Sequence, residues 1–141
     1  MSFLLIQPVV QHRNLTVEEI EITNRLYDLS QSVILQSQGA RLPAEANRGG
    51  QSVAAFTGTF YDRLVKDRVR EEIAKGELPG NLEVTPTAGD PGVTRFEARG
   101  PDFVRGTAAW DLTTGEAAYA HVQRDVIHGI DGLQVYFIID Y

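Results

Sequence analysis

The chain has no cysteine. Disulfide staples and thiolate-bound metals are therefore excluded, and any metal must be held by oxygen ligands or by His12, His121 or His128. It also has no apolar run of membrane-spanning length. The apolar opening Met1-Ser2-Phe3-Leu4-Leu5-Ile6 lacks a basic leader and is interrupted by Gln7-Pro8, so it is a poor signal peptide and reads as a short strand or packed arm. We therefore expect a cytoplasmic chain with no membrane association. No Gly-x-Gly-x-x-Gly follows a strand, no phosphate loop is complete, and no serine lies in a Gly-x-Ser-x-Gly elbow. A dinucleotide fold and a serine nucleophile are thereby set aside. Internal repeats, low-complexity tracts and interdomain linkers are absent as well. Positive charge is in short supply: the net charge is −6, which argues against a broad phosphate-binding surface. Its distribution is uneven. Arg63, Lys66, Arg68, Arg70, Lys75, Arg95, Arg99 and Arg105 all fall between residues 63 and 105, and Arg124 is the sole strong base of the last quarter. That clustering is compatible with a local basic face or with a solvated helix of mixed charge.

What is present describes an ordinary folded domain. A chain of 141 residues is long enough to bury a core, and 43% apolar residues are enough to fill it. Thr16 and Glu19 have the spacing of a capping box, flanked by Leu15 and Ile20 as a hydrophobic staple. Ile22, Leu26, Leu29 and Val33 then share one helical face, and Gly39 ends the helix. A loop follows over 39–50. The spacing predicts a second helix over 52–75, with Val53, Phe56, Phe60, Leu64, Val65, Val69 and Ile73 as its apolar stripe and Gly76 and Pro79 as its stop. Residues 81–86 read as a strand, 87–92 as a turn, 93–104 as extended alternating chain, and 107–112 as the next strand. Thr113 or Thr114 caps a helix expected over 116–127, and 133–139 closes the chain as a strand buried on both faces. The class expected is α+β: a single domain over 1–141 with a small central mixed sheet flanked by helices. Residues 1–50 supply an arm, helix and loop; 51–141 supply a core in the order αβββαβ.

Two aspartates stand out in that core. Gly100-Pro101-Asp102-Phe103-Val104 is followed by Trp110-Asp111-Leu112-Thr113-Thr114, and Arg105-Gly106 between them suits a tight reversal. A hairpin folded there brings Asp102 and Asp111 together. Two close carboxylates repel unless a cation or a proton sits between them, and a hard divalent ion prefers such oxygens. The alternative is structural: Asp102 in a Gly-Pro-Asp turn and Asp111 paired with a nearby arginine. Trp110, adjacent to Asp111, points to the other sheet face and belongs to the core. Tyr27, Tyr61 and Tyr119 read as packing residues. His128 lies near a helix C-terminus, which explains it without function.

Helix, three strands, helix, strand, together with Pro101-Asp102 and Asp111-Leu112-Thr113, resembles the restriction-endonuclease-like PD-(D/E)xK superfamily. The phrase Trp110-Asp111-Leu112-Thr113-Thr114, followed by a helix carrying His121 and Arg124, is similar in particular to divergent nuclease domains of bacterial polymorphic toxins. The resemblance implies a metal-dependent nuclease that uses Mg²⁺ or Mn²⁺, with DNA favoured over RNA as substrate. Asp102, Asp111 and the Leu112 carbonyl would hold the ion, with Glu72 from the preceding helix completing the site and Glu71 as the next choice. His121 would touch the attacking water or a phosphate, and Arg124 would clamp phosphate. On the bland reading these two are exposed helix residues. The family lysine is replaced by Thr113, which can position water but carries no charge. Gln123, Arg124 or Lys75 would have to substitute from another element. Glu97, five residues before Asp102, is expected in a surface ion pair. The rival reading is a non-catalytic acidic module that binds a cognate protein partner, as an immunity or assembly factor does. A structural phage or secretion component is a third.

Overall fold

The structure, a computed structural model, describes residues 6–37, 53–87, 90–94, 96–98, 100–113 and 132–140, with side chains of the second helix described from Phe60 onward. In chain order these hold β1 (Val10–Gln11), α1 (Val17–Ser37), α2 (Val53–Ala74), β2 (Glu83–Val84), β3 (Phe103–Arg105), β4 (Ala108–Thr113) and β5 (Val135–Asp140). The class is α+β, as expected. The strand order is β1-β5-β4-β3-β2. Strands β2, β3 and β4 are antiparallel neighbours, β5 runs parallel to β4, and β1 closes the other edge antiparallel to β5. The link from β4 to β5 passes through 114–131, outside the described residues, and the helix expected over 116–127 falls there.

The helices form for the reasons their sequences carry. The Thr16 N–H donates to Glu19 Oε1 at 2.9 Å and the Glu19 N–H donates to Thr16 Oγ1 at 3.1 Å, so the capping box closes reciprocally. Ile22, Leu26, Leu29 and Val33 are all buried. Helix α2 ends at Gly76, whose φ of 79° is a left-handed value that glycine adopts without strain. The Glu77 N–H reaches the Glu72 carbonyl at 2.9 Å and the Gly76 N–H reaches the Ile73 carbonyl at 3.1 Å, the paired bonds of a Schellman stop.

Alternation along the strands sorts the sheet into two faces. Phe103, Ala108, Trp110, Leu112, Val135, Phe137 and Ile139 join Ile22, Leu26, Leu29, Val33, Val65 and Val69 in one core, so α1 and α2 cover the same sheet face. Trp110 stacks on Phe137 with ring centroids 5.9 Å apart, and its indole N–H donates to Thr23 Oγ1 at 2.8 Å. The other face carries Ala109, Tyr136 and Ile138 with Val10, Val104 and Leu133 beside them. Strand β5 is buried from Val135 to Ile139, as its unbroken apolar run requires.

One stretch departs from expectation. Residues 93–104 are not a single extended segment, since β3 begins only at Phe103. Thr94 and Glu97 close a turn instead: the Glu97 N–H donates to Thr94 Oγ1 at 3.1 Å, and the Ala98 N–H reaches the Thr94 carbonyl at 3.2 Å. Threonine followed three residues later by glutamate is itself a capping pattern, and here local capping overrides two-residue alternation. Glu97 consequently accepts from the Thr94 hydroxyl and does not project from a strand.

Candidate functional site

The hairpin assembles the aspartate pair. Arg105 faces Ala108 across a two-residue turn, Gly106-Thr107, and Gly106 takes φ 59°, the sign that a type II′ turn demands at its first central position. Phe103 then pairs with Trp110, which sets Asp102, one residue before β3, beside Asp111 in β4. The two carboxylates interlock through the backbone. The Asp102 N–H donates to Asp111 Oδ1 at 3.1 Å, and the Leu112 N–H donates to Asp102 Oδ2 at 2.8 Å. Asp111 shares its sheet face with Tyr136 of β5, whose hydroxyl donates to Asp111 Oδ2. Helix α2 contributes Lys66, whose ammonium lies 2.9 Å from Asp102 Oδ1. Asp111 is 1% exposed and the side chains of Lys66 and Asp102 are 4% and 14% exposed, so the cluster opens to solvent chiefly at Asp102.

Of the residues singled out in the sequence, Asp102, Asp111 and Leu112 are brought together. Leu112 joins through its backbone, while its side chain packs in the helix-covered core. Thr113 pairs with Asp140 in the parallel ladder, and its side chain is not among those described. His121 and Arg124, with Gln123, lie outside the described residues. Glu72 is not brought to the pair, which corrects its placement as a metal ligand. Its carboxylate turns to Arg25 of α1, 3.0 Å away, with Arg68 at 3.9 Å. Among the described residues no third acidic or histidine side chain joins Asp102 and Asp111 in a metal-holding group. The inward stripe of α2 is filled by Val65 and Val69, and the turn of helix bearing Glu72 leans toward α1, where a guanidinium meets it. The close Arg25 guanidinium holds the Glu72 carboxyl below the usual carboxylate range, with Lys75 and Arg68 adding to the effect and desolvation opposing it.

Two members of the cluster escaped the sequence reading. Lys66 had a faint signal, because it follows Val65 and precedes Val69 by three residues, at the margin of a buried stripe. Tyr136 had none, since a tyrosine inside an apolar strand looks like packing until its hydroxyl finds an acceptor. Beside the structural alternative for the pair, Asp102 meets a lysine from α2 and the Leu112 amide, and Asp111 meets the Asp102 amide and the Tyr136 hydroxyl.

A groove of about 290 Å³ lies elsewhere, between Glu18, Glu21 and Arg25 of α1 and Glu77, Leu78 and Pro79. It includes none of the four clustered side chains. Three glutamates on its rim make it a poor seat for phosphate. Among the described residues, no helix is long and apolar enough to cross a membrane. No family model, curated protein or solved structure matches the chain.

Carboxylate oxygens are the donor type a hard divalent ion takes, and all four at the pair already accept from protein donors. Asp102 Oδ1 already accepts a full positive charge at 2.9 Å, and a second carboxylate stands one hydrogen bond away.

Proposed function

We propose that this protein is a metal-dependent nuclease, hydrolysing phosphodiester bonds with Asp102 and Asp111 at its centre and DNA as the first substrate class. A toxin or effector role accords with the family resemblance. The observation that carries the reading is the interlocked aspartate pair bearing a buried lysine at the open end of a β-hairpin. The order α2, β2, β3, β4, then β5 parallel to β4, supports it, because that is the element order the resemblance implies apart from the segment 114–131.

Each residue has a physical role in this reading. Asp102 and Asp111 would hold Mg²⁺ or Mn²⁺, with the Leu112 carbonyl as a third oxygen. An ion held there would supply Lewis acidity toward a phosphoryl oxygen and the attacking water. Lys66 brings the positive charge that Thr113 does not, from α2 instead of β4. In this reading its ammonium, 2.9 Å from Asp102 Oδ1, is the group that stabilises charge developing on the phosphate. The Tyr136 hydroxyl and the Asp102 amide fix the Asp111 carboxylate in one orientation.

A second reading has its own observation. Every oxygen of the two carboxylates already accepts from a protein donor, and Asp111 is 1% exposed. The cluster is thus complete as an ionic brace inside a non-catalytic acidic module that binds a basic protein partner. Plasmid DNA and, separately, structured RNA incubated with the purified chain in Mg²⁺ or Mn²⁺ distinguish the two. Cleavage that disappears with EDTA and in Asp111→Ala is the expected result. Intact nucleic acid in every arm, from protein shown to be folded, rejects the nuclease in favour of the brace.

A further inference from the structure

The groove between α1 and the end of α2 joins an apolar lining to an acidic rim. Ile22, Leu78 and Pro79 supply the first, and Glu18, Glu21 and Glu77 the second. Its two walls are tied together. Arg25 of α1 pairs with Glu72 of α2 at 3.0 Å, and Arg105 of β3 joins Glu18 of α1 while its Nε donates to Asn81 Oδ1 at 3.0 Å. The Schellman stop of α2 and the bond from the Leu82 N–H to the Pro79 carbonyl at 3.1 Å hold the second wall in shape. These ties use Glu18, Arg25 and Glu72. Glu21 and Glu77 are exposed, and among the described residues no base or donor meets either carboxylate. Beside Arg25 a further carboxylate oxygen, Glu72 Oε2, is buried without a hydrogen bond. The groove is therefore preorganised and electronegative.

We propose that this groove docks a basic segment of a partner protein and takes one arginine side chain from it. The methylene stem covers Ile22, Leu78 and Pro79, and the guanidinium meets Glu21 from one wall and Glu77 from the other. A planar guanidinium donates along more than one edge and is weakly hydrated, so it suits two carboxylates over an apolar lining better than a compact, strongly hydrated ammonium does. A second copy of this chain is a poor occupant, because it brings a net charge of −6 to an acidic rim. The groove contains neither Asp102 nor Asp111, so the inference stands apart from the nuclease reading.

Amide NMR of the native chain tests this, with EDTA present and the peptide acetyl-Gly-Arg-Gly-Arg-Gly-amide as the probe. Saturable shifts should fall on residues 18–25 and 76–79 and should weaken with added salt. Glu21→Gln combined with Glu77→Gln should lower the affinity about tenfold. Both side chains are exposed, so the variant should melt as the native chain does. Glu83→Gln, exposed on β2 outside the groove, should leave the affinity unchanged. Shifts scattered over the acidic surface, or an equal loss from Glu83→Gln, overturn the proposal. Equal or tighter binding of the lysine counterpart, or of spermidine, overturns the arginine assignment. A dimer of the chain alone that the double substitution dissociates overturns the partner in favour of self-association.

Discussion

Glu19 and Asp111 are both buried carboxylates, 3% and 1% exposed, yet they are satisfied in different ways. Glu19 is held by near neighbours in the chain. The Thr16 N–H lies three residues away, and the Arg13 guanidinium, six residues away, grips both carboxylate oxygens at 2.8 and 2.6 Å. Arg13 also reaches Thr107 Oγ1 at 2.9 Å, which ties the start of α1 to the β3–β4 turn. Asp111 is held at nine and twenty-five residues' distance, by the Asp102 amide and the Tyr136 hydroxyl. The charged partners differ too: the Arg13 guanidinium grips Glu19 directly, whereas the Lys66 ammonium rests on Asp102, the neighbour of Asp111. The proposed chemistry belongs to the carboxylate that has a second carboxylate beside it, Asp111, and not to Glu19.

The comparison is most exposed to paired alanine substitutions. Asp111→Ala should abolish metal-dependent cleavage. It should also cost about 1–3 kcal/mol for each buried donor it strands, namely the Asp102 amide and the Tyr136 hydroxyl. Glu19→Ala should cost about 1–3 kcal/mol through the lost cap and the lost Arg13 pair, with cleavage per folded molecule unchanged. Urea titration beside a plasmid assay reads both. Equal effects of the two substitutions on cleavage would erase the distinction.

Tyr136→Phe comes next in size. It removes one hydrogen bond and no packing volume, so stability should fall by about 1 kcal/mol. If the hydroxyl orients Asp111 toward an ion, Mn²⁺ affinity should drop by about 10–100-fold, as for other outer groups that position metal ligands. A stability loss without an affinity loss assigns Tyr136 to the brace alone.

The smallest effect is on acid stability. The hydrogen bond from Arg13 pulls the Glu19 carboxyl below its ordinary range, helped by Thr16 and opposed by desolvation. Arg13 is shifted upward by the same contact. With the folded value depressed, the folded state binds fewer protons in acid than the unfolded chain does. The contribution is therefore complete above the unfolded glutamate value of about 4.3 and is lost as pH falls through the lower folded value. Glu72, depressed by Arg25, acts in the same direction. Glu19→Gln should flatten the fall in urea midpoint between neutral pH and about pH 3. An unaltered acid slope would mean that Glu19 is not differentially ionised on folding.

Much of the frame was legible before any coordinates. Thr16 and Glu19, the Ile22-Leu26-Leu29-Val33 stripe, the stop at Gly76 and the inward turn of Trp110 each follow from rules that act over a few residues. The same rules misled at 93–104, where alternation and a capping pair compete over the same residues and the cap prevails. They also misplaced Glu72. Helical spacing gives the face a residue occupies, but not which neighbour meets that face, and Arg25 of α1 was the neighbour.

The aspartates' approach was foreseeable because a glycine-first turn joins their strands. Their company was not. Lys66 and Tyr136 arrive from an earlier helix and from a strand beyond 114–131, and no spacing rule spans those separations. The order of amino acids settled where helices begin and stop, which strand faces are apolar, and that two acids would meet, because caps, periodicity and tight turns are decided among neighbours. Tertiary packing alone decided that a lysine and a tyrosine would complete the pair, because burying a charge forces the fold to bring a partner from wherever in the chain one can reach.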